Sequence, residues 1–241
     1  MKRTLLIPFV VFLIFSVTGC SGLKKLGIIP TELEMAMGLK DALSQGLFKS
    51  FDAFADPSGN PLVRFAFPDD ATRIEKTLRD IGLDKMIDQV TGKFTRAMSS
   101  AVSVSKPVFA DAVKRMSIKD AAKILVTDNT HAATDYFKQA MKPDLLKAFR
   151  PIVDSSIKVE GADKEWSGIT NIYNNIPFIS KPLENNLTDF IAARVIDVMF
   201  FMVAHEEEQI RSQYGLRKTD LMKKVFTYAE QELKRRIQQP K

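Results

Sequence analysis

Only two histidines, His131 and His205, and one cysteine, Cys20, could supply soft metal ligands or a nucleophile–base pair. Transition-metal sites need such residues clustered, and these three are scattered along the chain. His205-Glu206-Glu207-Glu208-Gln209 starts as a zinc-protease helix does. The second histidine that this pattern needs one turn on is Gln209, so the motif is incomplete. The stretch therefore reads as an acidic turn facing water, with at most a weak divalent-cation site among Glu206 to Glu208.

Nucleophilic chemistry finds no firmer footing. No Gly-x-Ser-x-Gly elbow occurs. Ser-x-x-Lys occurs at Ser21–Lys24, Ser103–Lys106 and Ser155–Lys158 without the companion motifs of a serine–lysine enzyme, and reads as chance. Neither a P-loop nor Gly-x-Gly-x-x-Gly is present, so no nucleotide cofactor is expected, and no metal or other cofactor is assigned. Asp69-Asp70 and Asp128 with Asp135 are carboxylate pairs of the kind that glycosidases use. Helix caps draw on the same residue type. Ten methionines and seventeen phenylalanines could line a lipid cavity, since methionine adapts to irregular ligands; an ordinary helical core uses them equally well.

The clearest chemistry lies at the start of the chain. Lys2 and Arg3 precede an apolar run from Leu5 to Val17, and Val17-Thr18-Gly19-Cys20 follows. That order describes a secretory signal peptide, and the run is shorter than the ~20 residues a spanning helix needs. Val17-Thr18-Gly19-Cys20 resembles the lipobox of bacterial lipoproteins, with valine in place of the usual leucine. The resemblance implies cleavage before Cys20 and acylation of its thiol; an ordinary leader that happens to contain a cysteine is the plainer alternative. No aspartate follows Cys20, which by resemblance to the Gram-negative sorting rule implies the outer membrane, facing the periplasm. The net charge of +6 could suggest nucleic acid, but an exported protein rarely meets it, so none is expected as a partner. Asn186-Leu187-Thr188 matches the glycosylation triplet and carries no meaning in such a protein.

The elements behind the leader read as helices. Residues 1–19 are the leader and 20–30 a lipidated tether; 31–241 form one helical domain. Thr31 and Glu34 make a capping box, and Ala36, Leu39, Leu43, Leu47, Phe51 and Phe54 share one face of the helix that follows. Asp69 or Asp70 caps the next helix, and Gly82 interrupts. Leu83 to Ala101 then keeps the three–four rhythm over several turns. Separate helices are predicted for Pro107–Met116, Ile118–Val126, Thr130–Met141 and Asp144–Phe149, with Pro151 ending or kinking the last. Trp166, Ile169, Ile172 and Tyr173 mark a short helix. Leu187 to Val203 is apolar on most sides and so belongs at the centre; a final amphipathic helix begins behind Thr219. Leu62–Phe67 and Ile176–Pro182 are two short proline-bounded segments read as extended. The fold class is all-α: an irregular single-domain helical bundle.

Several stretches together resemble a bacterial family known only as a domain of unknown function, DUF4197. They are Leu39-Lys40-Asp41-Ala42-Leu43 with Gly46, Asn60 to Pro68, Thr134-Asp135-Tyr136-Phe137-Lys138, Phe149-Arg150-Pro151-Ile152-Val153 and Tyr173-Asn174-Asn175-Ile176-Pro177. Glu206 to Arg211 and Arg217 to Phe226 complete the set. Phe65, Ala66 and Phe67 depart conservatively from the aliphatic pattern at that loop. The resemblance implies an exported or lipid-anchored helical domain and assigns no catalytic residue or cofactor.

Within these stretches Tyr136, Asn174, Glu207, Arg211, Arg217 and Asp220 are polar residues that packing alone does not demand. They could converge on one cleft, or pin the long helix to its neighbours; Glu207 and Arg211 are four apart, which suits an ion pair on a helix. The expected function is a non-enzymatic envelope module, held on the membrane through its N-terminal lipid, that binds an apolar ligand or an envelope protein. The alternative is a hydrolase of envelope lipid or cell-wall material.

Overall fold

The computed structural model describes residues 29–67, 72–119, 121–176, 182–183 and 186–238. The leader, Cys20 and most of the tether lie outside these residues, as do Asp69, Asp70 and nearly all of the second proline-bounded segment. Eight α-helices occur among the described residues: α1 Glu32–Ala55, α2 Thr72–Asp80, α3 Asp84–Arg115, α4 Ala121–Leu125, α5 Ala132–Glu160, α6 Ala162–Asn174, α7 Thr188–Ser212 and α8 Asp220–Gln238. No strand occurs among them, and the fold is all-α.

The first helix begins as its sequence dictates. Thr31 Oγ1 accepts from the Glu34 amide at 3.2 Å, and Glu34 Oε2 accepts from the Thr31 amide at 2.8 Å, closing the capping box. Leu39, Leu43, Leu47, Phe51 and Phe54 are buried, while Ala36 is half-buried at the margin. Gly82 turns the chain between α2 and α3 at φ +85°, a conformation that glycine adopts without a Cβ penalty. Thr219 Oγ1 accepts from the Met222 amide at 3.1 Å, capping α8 as expected.

Proline proves a weaker terminator than its local chemistry predicts. α3 runs unbroken through Pro107, and α5 through Pro143 and Pro151, so the separate helices expected at 107–116, 130–141 and 144–149 are parts of two long ones. The reason is a continuous apolar face. Phe137, Met141, Leu145, Phe149, Val153 and Ile157 recur along α5 and are all buried. The three prolines sit on exposed faces. The carbonyls they leave without an N–H donor, those of Ser103, Gln139 and Lys147, thus fall on the solvent side, where water can serve them. The helix predicted over 118–126 shrinks to the five residues of α4.

The segment expected to be extended at 62–67 opens instead with a 3₁₀ turn at Pro61–Val63, where Asn60 Oδ1 accepts from the Leu62 amide at 3.0 Å. Proline at the first position suits that turn because it has no N–H to satisfy. Beyond it the chain is extended at Arg64 and delivers Phe65 and Phe67 into the core. Phe65 stacks on Phe94 of α3 with centroids 4.7 Å apart, and its amide donates to Thr95 Oγ1 at 3.0 Å. Phe67 and Phe94 in turn meet Trp166 of α6.

α7 packs against α1 and α5, and more lightly against α3 and α8. It lies antiparallel to α1: Gly46 faces Val203, and Ser50 Oγ lies 3.5 Å from the Met199 carbonyl. A Cβ on Gly46 would stand 3.0 Å from Val203 Cα, so glycine sets how closely the two helices approach. The helix continues well past Val203, to Ser212.

Candidate functional site

The last two turns of α7 hold a knot of buried charge. Glu206 and Glu207 are 2% and 1% exposed, so these two residues of the acidic turn do not face water, and Glu207 instead fits the expectation that it pins the long helix to its neighbours. Burying a carboxylate is costly unless opposite charge and hydrogen bonds replace its hydration, and both carboxylates have such replacements. Glu207 Oε1 accepts from the Ala133 amide at 3.0 Å. Its Oε2 accepts from the Thr134 amide at 2.8 Å and the Thr134 hydroxyl at 2.7 Å. The side chain thereby caps the N-terminus of α5, where a helix favours negative charge.

Arg211, one turn on, donates to Glu207 Oε1 from Nε at 2.9 Å and from Nη2 at 2.7 Å. Its Nη1 reaches the Leu125 carbonyl at 2.9 Å and its Nη2 the Ile124 carbonyl at 3.1 Å. A cation thus sits on the C-terminal carbonyls of α4. Arg217, 1% exposed, does the same for α7 itself: Nε donates to the Ile210 carbonyl and Nη2 to the Arg211 carbonyl, each at 3.0 Å. Thr227 and Glu230 of α8 take its remaining donors. The Phe226 ring lies within 6 Å of both guanidinium groups, a favourable seat for cations.

Glu206 points the other way, toward α1. Its Oε1 accepts from Gln45 Nε2 at 2.7 Å, and its Oε2 pairs with Lys49 at 2.5 Å. Gln45 Nε2 also reaches the Leu216 carbonyl at 2.9 Å. The Gln45 Oε1 is buried without a hydrogen-bond partner.

Of the six polar residues singled out in the sequence, the structure joins Glu207, Arg211 and Arg217 directly. Tyr136 donates from its hydroxyl to the Ser117 carbonyl at 2.6 Å, tying α5 to the chain that follows α3. Asn174 ends α6, where its amide bonds both ways with the Leu183 backbone. Asp220 is fully exposed; Lys223, 2.9 Å away, holds its carboxyl below the usual aspartate range. Asp128 and Asp135 are also exposed, and Asp135 accepts from Asn129.

A cavity of about 260 Å³ lies elsewhere, between α3, α5, α6 and the start of α7. Phe94, Ile157, Trp166 and Leu187 supply apolar wall; Asp154, Lys158, Asp163 and Thr188 supply polar atoms. Lys158 pairs with Asp154 at 2.6 Å, and Thr188 Oγ1 lies 3.4 Å from the other Asp154 oxygen. The Asp154 hydrogen bond raises the Lys158 ammonium above its usual range, and the nearby Asp163 charge adds to this. Asp163 Oδ1 is buried and has no hydrogen-bond partner. Among the described residues, no group of three or more histidine, cysteine or carboxylate side chains is placed to hold a metal ion.

Residues 30–227 match the model of a family described as a protein of unknown function, DUF4197. The chain belongs to that family. No curated protein and no solved structure matches it. In this DUF4197 protein three of the stretches that carry the family resemblance meet at the knot: 134–138 brings Thr134, 206–211 brings the glutamates and Arg211, and 217–226 brings Arg217 and Phe226.

Sequence reasoning overlooked the partners that complete the knot, Gln45, Lys49, Thr134 and Glu230. It also overlooked the cavity residues Asp154, Asp163 and Thr188. One signal was available: Asp154 and Lys158 are four apart, the spacing of a helical ion pair. Asn186 was legible as well, because asparagine two residues before a helix start forms an Asx turn. Its Oδ1 accepts from the Thr188 amide at 2.8 Å.

Proposed function

We propose that this DUF4197 protein is an envelope lipoprotein, acylated at Cys20 and held at the periplasmic face of the outer membrane, whose helical domain is a non-enzymatic binding module. The anchor rests on the leader, on the small residues before Cys20 and on the absence of any other cysteine in the chain. No described helix is long and apolar enough to cross a membrane. Replacing Cys20 with alanine is expected to abolish fatty-acid incorporation and release the protein from membranes. Unchanged labelling would overturn the anchor.

The observation that carries the binding reading is the cavity beside Trp166. Polar and charged groups share its lining almost evenly with the apolar wall, a more polar make-up than most small-molecule sites have, and its volume suits only a small ligand or one part of a larger one. The ligand class that fits is a small amphiphile with an apolar body and a polar head that meets the charged and hydroxyl side chains lining the cavity. The runner-up, a hydrolase, draws on the same cavity because Asp154 and Asp163 both line it. Asp154 is already engaged by Lys158 and Thr188, which favours binding over acid–base work. Native mass spectrometry of the 21–241 fragment from periplasm, followed by organic extraction, tests the choice. A co-purifying amphiphile at fixed stoichiometry is expected; an empty protein that cleaves envelope lipid or cell-wall fragments, and loses that activity in Asp154→Asn, would favour the hydrolase.

A further inference from the structure

α1 is the helix that follows the tether, and it packs against α3, α4, α7 and α8. Its outer side carries exposed apolar residues. Leu33, Met37 and Phe48 are 69%, 50% and 63% exposed. At 3.6 residues per turn they fall within about 60° of arc and span roughly 22 Å of helix. Isolated exposed apolar residues are ordinary; here three share one side of a helix, Leu33 and Met37 one turn apart and Phe48 three turns on, with the polar Lys40, Asp41 and Ser44 between them. We infer that this stripe of α1 docks on the anionic surface of the bilayer that holds the lipid anchor, so that the domain lies on the membrane along α1 rather than hanging free of it.

Two observations select a lipid surface as the occupant. The first is reach: about eleven residues lead from Cys20 to Thr31, a span of at most about 40 Å. Leu33 lies two residues beyond, so an acylated Cys20 holds the start of the stripe within about 40 Å of the headgroups, inside docking reach. The second is charge. Lys40 borders the stripe on the α3 side, and its ammonium donates to the Lys114 carbonyl at 2.7 Å. On the same side Lys106 lies 5.7 Å from the Phe51 ring, which meets Phe48 edge-on. Lys40, Lys106 and Lys114 have no carboxylate partner among the described residues, and are left to meet anionic headgroups. Asp41 and Asp52 border the opposite side, and Asp41 is engaged by the Thr219 hydroxyl. This asymmetry, offset on the lysine side by the exposed Glu32 at the head of the stripe, tilts that side toward the membrane.

The inference rests on acylation of Cys20, and the test separates the two. Full-length acylated protein carrying Phe48→Trp is reconstituted into phosphatidylethanolamine–phosphatidylglycerol vesicles doped with brominated lipid. The native Trp166, 1% exposed in the core, is the internal reference. A residue seated about 5–10 Å into the headgroup–acyl boundary loses roughly half or more of its emission to the brominated chains, while Trp166 emission is unchanged. Met37→Trp is expected to behave alike, and Lys106→Glu with Lys114→Glu to reduce the quenching while the protein still floats with the vesicles. Acylated protein that floats while the introduced indole stays unquenched in both variants overturns the docking alone. A chain without acyl groups at Cys20 overturns the anchor and the docking together. A soluble 21–241 fragment carrying Phe48→Trp, whose added emission shifts to the blue as it dimerises, would assign the stripe to a second copy and overturn the lipid reading.

Discussion

The Glu207 carboxylate accepts from both the backbone N–H and the hydroxyl of Thr134, a residue 73 positions earlier in the chain, at 2.8 and 2.7 Å. A carboxylate at the N-terminus of a helix would ordinarily come from that helix's own first turn. Here the cap of α5 is delivered by the far end of α7, so one side chain fixes both where α5 begins and how α7 lies against it. Arg211 then neutralises the carboxylate and directs its other donors to α4.

Because the pair is buried, its members are worth less singly than together. Glu207→Ala leaves Arg211 with a buried positive charge and two α5 amides without an acceptor. Loss of one partner of a buried pair costs about 3–5 kcal/mol, to be measured by urea unfolding. The double variant Glu207→Ala, Arg211→Ala is expected to fall short of the sum of the singles by at least about 1 kcal/mol, the coupling seen between residues in one network. Additive losses would mean that the two residues act independently.

Arg217 gives the sharper chemical test. Its donors reach two carbonyls of α7, Thr227 and Glu230 in different directions. A lysine keeps the charge but not the planar fork, so Arg217→Lys is not conservative here. The expected loss is about 2 kcal/mol or more, since at least one buried acceptor goes unpaired. A lysine variant that melts with the wild type would show that only the charge matters.

Gly46 sets two opposed effects against each other. Alanine in a helix is favoured over glycine by about 1 kcal/mol. Its Cβ would meet Val203 Cα at 3.0 Å and Cγ1 at 3.1 Å, and because one of these atoms is backbone, the helices must move apart. Overpacking of that kind costs about 1–3 kcal/mol, so Gly46→Ala is expected to be neutral to destabilising by up to about 2 kcal/mol. A clear gain in melting temperature would show that α1 and α7 can separate freely.

What could be read in the sequence divides along the range of the interactions. The capping box at Thr31 and Glu34, the apolar face of α1 and the Thr219 cap were legible because each is settled within a turn or two of chain. The prolines misled because their local cost is outweighed by a core face that runs the length of α5, from Phe137 to Ile157. The acidic turn at Glu206 and Glu207 misled for the same reason. Its counter-charges and donors come from Lys49, Ala133 and Thr134, which nothing in the neighbouring sequence announces. The Glu207–Arg211 spacing showed the pair, and the reading that it pins the long helix to its neighbours through buried polar contacts agrees with where both lie; the distant partners did not show.

The capping box carries a pH dependence with a definite sign. The Lys224 ammonium, 2.6 Å from Glu34 Oε1, lowers the Glu34 carboxyl below its usual value of 4.5, and the Thr31 amide adds to the effect. A carboxyl whose folded-state pKa is depressed contributes stability that is complete above its unfolded-state pKa and is lost as pH falls through the folded value. Near neutrality, then, Glu34→Gln is expected to melt below the wild type. Below the usual carboxyl value of 4.5 the gap narrows, because the wild-type carboxyl is itself taking up a proton. The same comparison with Lys224→Met isolates the ammonium, which heads the causes of the shift: the pH-dependent part of the gap should shrink in that background. Thermal melts of the wild type, the two single variants and the double variant, at neutral pH and in steps through the acid range, measure it. A gap that stays constant across the range would mean that neither Lys224 nor the Thr31 amide favours the ionised form of Glu34 in the folded protein.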